Sequence, residues 1–351
     1  GPSWRSSARR SGRPTGTRAG VGASQRSAIA FAAMHIRLNA FLASALTAAS
    51  TFAQTPQLRT ANEQGRIPIL EYHLVGDKDS RWGRSAEHFR RDLELLYARG
   101  YRPITVAQLV DGAIDVPAGM SPVVVTFDDA SPSQFRYVER DGTREIDPSS
   151  AVGIWIAFNR THPDWKNRAT FCVLSGAAAG HNLFGDRGIE GQKSTWRLEK
   201  LRYLAGQGFE LCAHTLWHAD LAKYSDAVVQ EQIARNILAI DSAVSGYRVR
   251  TFALPLGHWP RNRALATAGT WRDPMSGREV RYAFDAVLEV TGTPVPGPAS
   301  DRFNPRALQR IQVFGDALEK MLDRLDASGV RFVSSGNGHV KRSGVPVPPR
   351  R

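Results

Sequence analysis

The sequence predicts an α/β protein folded as a (β/α) barrel with parallel strands. Between residues 66 and 340, apolar runs typical of strands alternate repeatedly with amphipathic stretches typical of helices. The strand-like runs are continuously apolar, which favours a parallel sheet that is covered by helices. No internal repeat divides this stretch, so a single barrel fits it better than two small domains.

The individual elements are predicted from hydrophobic periodicity and from capping residues at their ends. The predicted strands cover residues 67–75, 122–129, 169–174, 209–213, 251–256, 280–290 and 330–334. The predicted helices cover residues 85–100, 105–114, 151–160, 195–205, 225–244 and 316–326. Most strands are thus followed by a helix, as a parallel barrel requires.

The first 53 residues differ from the rest in composition. They contain seven arginines and no aspartate or glutamate, and without them the formal charge falls from +13 to +6. A net charge of +6 over the remaining residues does not require a nucleic-acid partner. We expect residues 1–33 to be an extension that the natural protein lacks, produced by a start site placed too early. A basic disordered tail or an organelle-targeting segment is the alternative.

Residues 34–53 have the three parts of a secretory signal peptide. Met34 and Arg37 provide a start and a positive charge, an apolar run follows, and Thr51-Phe52-Ala53 resembles a cleavage site. The apolar run is too short to predict a stable membrane span. The sequence therefore predicts a bacterial protein that is periplasmic or secreted, with a linker at 54–65, the barrel at 66–340 and a loose tail at 341–351.

The chain has two cysteines, Cys172 and Cys212. In an exported protein they form either one bridge or two buried thiols. Each lies in an apolar strand-like run, so we favour buried thiols. Cys212 stands two residues before a histidine of the candidate site, where a thiol would perturb a bound metal.

Two short segments carry the chemistry. The strand at 122–129 ends in the adjacent carboxylates Asp128 and Asp129, and the strand at 209–213 is followed by His214 and His218. Histidines four residues apart share one face of a helical turn. One carboxylate and two imidazoles form an open shell for Zn²⁺ or a similar divalent ion, with the second carboxylate free to act as a base. The ordinary alternatives are a turn or cap for the aspartates and packing or surface positions for the histidines.

The order of these segments resembles the NodB-type polysaccharide deacetylases, carbohydrate esterase family 4. The resemblance covers roughly residues 66–336. It is carried by five motifs, namely Tyr72-His73, Thr126-Phe127-Asp128-Asp129, Ala169-Thr170-Phe171, His214-Thr215-Leu216-Trp217-His218 and Leu254-Pro255-Leu256-Gly257. The combination of the second and fourth motifs is specific, although each alone is weak.

The resemblance implies a distorted (β/α) barrel of about seven strands that removes N- or O-acetyl groups from a glycan. It assigns Asp129, His214 and His218 to one divalent metal ion, with Zn²⁺ favoured and Co²⁺ or Ni²⁺ as alternatives. It makes Asp128 the general base and the backbone N–H of Leu256 the donor to the oxyanion.

Two parts of the family pattern lack a clear match. Ala253 stands where the family has an arginine that orients the base, and Arg136 or Arg306 are candidate replacements. The late histidine that protonates the leaving amine also has no clear counterpart, so His339 and His258 are the candidate acids.

The sequence also predicts residues that line a substrate groove beside the site. Trp217 is placed next to a metal ligand, where it either stacks on a sugar or packs in the core. The long segment 131–168 includes Gln134 and Phe135, and it forms either a wall of the groove or a decoration with its own apolar cluster.

The leading functional hypothesis is an exported, metal-dependent deacetylase, a hydrolase of C–N bonds other than peptide bonds, which acts on an acetylated polysaccharide of the bacterial envelope. The alternative is a catalytically impaired glycan-binding or envelope protein that keeps the metal site. A weaker hypothesis is a glycoside hydrolase that uses Asp128 with a second acid. The oligomeric state stays open.

Overall fold

The computed structural model describes residues 59–177, 181–185, 187–290 and 292–343. The predicted extension at 1–33 and signal peptide at 34–53 lie outside these residues, as do most of the tail and the first part of the linker. The described end of the linker belongs to the barrel, because Asn62 pairs with Val333 and the Gly65 carbonyl accepts a hydrogen bond from Gly297. The prediction of a linker up to residue 65 is therefore wrong for this end.

The secondary structure follows the predicted alternation. The helices are α1 (Ala86–Ala98), α2 (Val106–Asp111), α3 (Ala151–Thr161), α4 (Arg197–Gly206), α5 (Asp226–Ala243) and α6 (Ala317–Ser328). The strands are β1 (Arg66–Ile67), β2 (Ile69–Tyr72), β3 (Leu74–Gly76), β4 (Gly83–Ser85), β5 (Tyr101–Ile104), β6 (Ser121–Asp128), β7 (Tyr137–Arg140), β8 (Thr143–Ile146), β9 (Thr170–Val173), β10 (Glu210–Ala213), β11 (Thr251–Ala253), β12 (Ala268–Arg272), β13 (Glu279–Ala283), β14 (Ala286–Leu288), β15 (Val295–Pro296) and β16 (Ile311–Gln312).

The central sheet is parallel and has the order β14-β11-β10-β9-β6-β2-β16, and β5 pairs with the first half of β6. A bridge between Leu288 and Leu308 brings the β14 edge beside the segment that leads into β16. The sheet thereby curls round on itself, which confirms the predicted (β/α) barrel of about seven parallel strands.

Alternation along the strands separates an outer from an inner layer. Val123, Val125 and Phe127 of β6 pack in the cluster that includes the apolar faces of the large helices, whereas Val124 packs in a second cluster with α2. Successive side chains of a strand point to opposite faces. Asp128 therefore shares the inner face with Val124 and reaches the C-terminal mouth of the barrel.

Two predicted strands differ from the structure. The segment 280–290 is divided between β13, which forms an antiparallel hairpin with β12, and the barrel strand β14. The alternation of buried and exposed residues in β13 is typical of a strand with one solvent-exposed face. The segment 330–334 contributes only isolated bridges, at Arg331 and Val333. Within the described ranges, no helix is long and apolar enough to span a membrane.

The cysteines form a disulfide, so the preference for two buried thiols is wrong. Cys172 in β9 and Cys212 in β10 are register partners on neighbouring strands, and both are fully buried. Their side chains lie in the inner cluster of the barrel, below the strand ends that carry the site. No thiol is left at Cys212 to perturb a metal.

Replacing Cys172 and Cys212 together with alanine is expected to lower the free energy of unfolding by about 3 kcal/mol, because the bridge restricts the unfolded chain. Urea-induced unfolding of the oxidised protein measures this loss. Wild-type protein unfolded with a reductant is the control and should approach the double variant. Equal midpoints for oxidised wild type and the double variant would contradict a stabilising bridge.

Candidate metal and acid–base site

The site lies where the inner strands end, and its backbone is strained. Asp129, Thr215, His218 and Leu256 all have positive φ angles, of 76°, 71°, 63° and 58°. Non-glycine residues rarely adopt this conformation, which costs about 1–3 kcal/mol and collects at functional positions. At Asp129 it has a direct consequence, because the chain leaves the alternation of β6 and turns this side chain to the same mouth as Asp128.

Asp129, His214 and His218 come together as predicted. Their ligand atoms lie within 4.8 Å of one another, and Asp129 Oδ1 is 3.4 Å from His214 Nε2 and 3.6 Å from His218 Nε2. The two histidines lie on a loop rather than on one face of a helical turn, so that part of the prediction is wrong. The Thr215 hydroxyl accepts a hydrogen bond from the His218 backbone N–H at 3.1 Å, which holds the loop.

Two buried atoms of this cluster lack hydrogen-bond partners. They are Asp129 Oδ1 and His214 Nε2. The other ring nitrogen of His214, Nδ1, lies 2.9 Å from the carbonyl oxygen of Ala253, so it carries the proton and leaves Nε2 free. Buried polar atoms without partners are costly, and a divalent cation would satisfy both. The donor set therefore fits a metal ion.

Asp129 has the charge that a ligand needs. Burial opposes its ionisation, but the close approach of His214, 3.4 Å from Oδ1, outweighs burial and holds the pKa of Asp129 below its ordinary value. For His218, burial and the neighbouring His214 lower the pKa, which favours the neutral imidazole. Metal ligands must be deprotonated, and both groups tend toward that form.

Asp128 is held by an arginine that sequence reasoning missed. Arg310 is fully buried, and its Nη1 and Nη2 donate to Asp128 Oδ1 and Oδ2 at 2.7 and 2.8 Å. The same guanidinium lies 2.9 Å from Glu71 Oε1. Burial raises the pKa of Asp128, but the charge of Arg310 is the main opposing effect and leaves the pKa well below its ordinary value.

The two predicted replacements for the base-orienting arginine are wrong. Arg136 pairs with Asp147 and Glu190, and Arg306 donates to the carbonyl of Phe284. Arg310 immediately precedes β16, which pairs with β2 beside β6, so the barrel brings it to Asp128 from 182 positions away. The available signal was an arginine in the strand-like run at 308–314, in which apolar residues are mixed with glutamines.

His73 is a second residue that sequence reasoning left without a role. It follows β2, and its ligand atom lies within 4.8 Å of those of Glu71 and Asp128, with Nε2 4.0 Å from Glu71 Oε1. Its side chain is 15% exposed, so it lies at the solvent side of the buried carboxylates. The match of Tyr72-His73 to the family motif was the signal for it.

The two candidate acids from the sequence lie elsewhere. His339 is beside Gly112, just beyond the C-terminus of α2 and at the opposite end of the barrel, so its prediction as the acid is wrong. His258 is on the rim, where its Nδ1 lies 3.0 Å from Asp220 Oδ1. Leu256, whose N–H is the predicted oxyanion donor, lies in the one-turn helix Pro255–Gly257 and has an exposed side chain.

The predicted groove residues divide into two groups. Gln134 and Phe135 are fully buried, and Gln134 Nε2 donates to the carbonyls of His73 and Asp128. Neither side chain can line an open groove, so their predicted contact with substrate is wrong, and Gln134 instead braces two site loops. Trp217 is 40% exposed, which excludes simple core packing.

A sequence model of the polysaccharide deacetylase family matches residues 163–270, the segment that contains His214, His218 and Leu256. The matched segment is about a third of the chain, and over this segment the protein is similar to polysaccharide deacetylases. This similarity supports the enzyme class that the sequence predicts, a hydrolase of C–N bonds other than peptide bonds. No curated protein sequence matches it significantly.

Solved structures of deacetylases are similar to this chain. BC0361, a polysaccharide deacetylase from Bacillus cereus, has a TM-score of 0.50 at 15% identity, over 74% of this chain and 69% of its own. The deacetylase PplD from Streptococcus pyogenes, in complex with acetate, has 0.48 at 17%, over 76% and 99%. IcaB from Ammonifex degensii has 0.47 at 17%, over 74% and 97%. At such identities the likeness to BC0361 supports the fold.

Substituting Arg310→Met is expected to lower the free energy of unfolding by about 3–5 kcal/mol, because Asp128 and Glu71 lose the cation that compensates their burial. Arg306→Met is the matched control, with an expected loss of about 1 kcal/mol or less from one hydrogen bond. Thermal and urea unfolding measure both. Similar losses in the two variants would contradict the buried pairing.

Proposed function

We propose that the protein is a metal-dependent deacetylase that removes acetyl groups from an N- or O-acetylated polysaccharide of the bacterial envelope. The observation that carries this proposal is the pairing of two groups at one strand end. Asp129 joins His214 and His218 in a donor set with unsatisfied buried atoms, and the adjacent Asp128 is fixed beside it by Arg310. A metal site with a neighbouring oriented carboxylate is suited to hydrolysis of an acyl group.

Asp129, His214 and His218 would hold one divalent ion, for which Zn²⁺ is favoured and Co²⁺ or Ni²⁺ are alternatives. When bound there, such an ion supplies Lewis acidity, which lowers the pKa of a water molecule and polarises an acetyl carbonyl. The donor set faces solvent, since the side chains of Asp129 and His218 are 26% and 31% exposed.

Asp128 is the proposed general base. Arg310 takes one lone pair from each carboxylate oxygen, and an ionised carboxylate has about four such sites. Asp128 can therefore accept a proton from the attacking water while its plane stays fixed. Its lowered pKa keeps it ionised near neutrality, so it is in the accepting form before the reaction starts.

His73 is the proposed proton donor to the leaving amine or alcohol. It lies beside Asp128 and Glu71, and it is open to solvent where those carboxylates are not. The backbone N–H of Leu256 is the proposed donor to the oxyanion. Leu256 has a left-handed backbone conformation in the turn Pro255–Gly257, which is strained for a leucine. Each step of acyl hydrolysis then has a group of this chain assigned to it.

Two observations favour the deacetylase over the alternative functions. A catalytically impaired glycan-binding protein was suggested by a missing arginine and a missing acid, and Arg310 and His73 occupy suitable positions for these roles. A glycoside hydrolase needs a second accessible carboxylic acid. Glu71 is fully buried and paired with Arg310, so it does not meet that need.

Export to the periplasm or secretion is part of the proposal. Disulfides persist in oxidising compartments and are rare in a reducing cytosol. The bridge between Cys172 and Cys212 therefore supports an oxidising location such as the periplasm or the extracellular space. A signal peptide at 34–53 would supply the route.

Variants of the metal ligands and of the proposed base should differ in metal content. Asp129→Ala or His214→Ala is expected to abolish both bound metal and acetate release. Asp128→Asn should keep about one metal ion while acetate release falls roughly 10²–10⁴-fold, because the three metal ligands are unchanged and the base is lost. Elemental analysis and acetate assays on acetylated oligosaccharides measure the two effects. Full activity in metal-stripped wild type would disprove metal dependence.

The role of His73 can be tested through the leaving group. His73→Gln should lower acetate release from an N-acetylated glycan by about 10²–10⁴-fold, because an amine leaves poorly without a proton. Hydrolysis of 4-nitrophenyl acetate should fall much less, since its phenolate leaves unprotonated. His258→Gln is the matched control on the rim. Equal losses on both substrates would rule out His73 as the acid.

A further inference from the structure

One buried side chain joins the two strand ends that carry the proposed acid and the proposed base. Gln134 is fully buried, and its Nε2 donates to the carbonyl oxygen of His73, at 2.6 Å, and to that of Asp128. Only the nitrogen of an amide can donate to carbonyl oxygens, so these two contacts also decide which way the amide group points. Both N–H donors of Gln134 are thus used by the backbone of the two residues proposed for proton transfer.

The Gln134 amide lies where the paired part of strands β2 and β6 ends. The last register pair of these strands is Tyr72 with Phe127, and His73 and Asp128 are the next residues of the two chains. Beyond this pair, the side chain of Gln134 joins the two backbones in place of the sheet register. The contact therefore sets how far apart His73 and Asp128 stand.

The same amide also acts on a metal ligand. The carbonyl of Asp128 belongs to the peptide that leads into Asp129, whose φ of 76° is uncommon for a residue other than glycine. This conformation turns the Asp129 side chain toward His214. Because Gln134 holds the peptide directly before that turn, it contacts the link between the proposed base and the metal site.

The turn at residues 131–134, which carries Gln134, is itself held from two sides. The carbonyl of Gln134 accepts a hydrogen bond from the Val152 N–H, at 2.9 Å, in the first turn of the buried helix α3. The hydroxyl of Ser133 accepts one from the Val75 N–H at 3.2 Å, two residues after His73. Gln134 therefore reaches the strand ends from a support that α3 and β3 keep in place.

The acceptor side of the amide points to the same role. Gln134 Oε1 is buried and has no hydrogen-bond partner among the described residues. A buried polar atom without a partner is costly, and an apolar side chain of similar size would avoid this cost. The two N–H donors, which an apolar side chain lacks, account for a glutamine at this position.

We propose that Gln134 is a positioning residue, which sets the placement of His73, Asp128 and Asp129 relative to one another. This inference rests on the proposed deacetylase function. The acid, the base and the metal must all reach the same acetyl group, and a displacement of about 1 Å can lower a rate on the order of 100-fold. Gln134 does not touch the substrate, and it acts through the backbone of the three residues that do the chemistry.

Gln134→Met tests this role, because methionine is similar in size and shape to glutamine but donates no hydrogen bond. With saturating Zn²⁺, kcat on an N-acetylated oligosaccharide should fall about 10–100-fold while KM stays nearly unchanged, since no substrate contact is removed. The affinity for Co²⁺, measured by competition with a chelator, should fall roughly tenfold, because the peptide before Asp129 is released. Gln134→Asn keeps the amide on a shorter stem, so both quantities should lie between those of the wild type and Gln134→Met.

Gln192→Met is the matched control. Gln192 is also buried, and its Nε2 donates to the carbonyls of Tyr137, at 3.0 Å, and Glu190, at 3.3 Å, which lie outside the site. This variant should lower the melting temperature, as Gln134→Met does, and keep the wild-type kcat and Co²⁺ affinity. Wild-type kcat and affinity in Gln134→Met, or equal losses in the two methionine variants, would overturn the inference. If Gln134→Met does not fold, wild-type values in Gln134→Asn overturn it and lowered values support it.

Failure of the proposed function would look different, because metal-loaded wild type would then release no acetate from any acetylated oligosaccharide. The Co²⁺ affinities decide the inference in that case. A lower affinity in Gln134→Met than in Gln192→Met supports the positioning role. Equal affinities in the two variants, or no Co²⁺ binding by the wild type, overturn it.

Discussion

The contact of Arg310 with Asp128 and Glu71 links the barrel to its chemistry. Its guanidinium binds the carboxylates of Asp128 in β6 and Glu71 in β2. Its Nε donates to the carbonyl oxygen of Glu289, just after β14. Three ionisable groups are buried here, and each buried charge costs several kcal/mol of desolvation. A buried charge is tolerated only when an oppositely charged partner lies at the right distance and angle. Arg310 meets this requirement only when the barrel closes correctly, so barrel closure and the orientation of Asp128 both depend on Arg310.

This arrangement also explains why adjacent aspartates can have different roles. Asp128 is still on the inner face of β6 and meets Arg310, whereas Asp129 has left the strand with a positive φ and meets the histidines. Burial raises the pKa of Glu71 more than Arg310 lowers it, while Asp128 stays ionised. One guanidinium therefore has one firmly anionic partner, and that partner is the proposed base.

The sequence was sufficient for residues that act through their immediate neighbours. Strand β6, its terminal aspartates and the histidines after β10 were recognisable because an apolar run that stops at polar residues is a local pattern. The disulfide was predicted wrongly because apolar surroundings were taken to favour buried thiols. Only the register of β9 and β10 places Cys172 opposite Cys212. Gln134 and Phe135 were misjudged because loop residues are usually exposed, and here they pack inward.

The sequence by itself determined the fold class, the candidate metal ligands and the carboxylate beside them, because hydrophobic periodicity and motif spacing record local geometry. Only the tertiary structure decided that Arg310 holds Asp128, that His73 stands beside it, and that His339 lies at the far end of the barrel. These relations join residues that are far apart in the chain. Their distances depend on the order and closure of the strands, which no local pattern specifies.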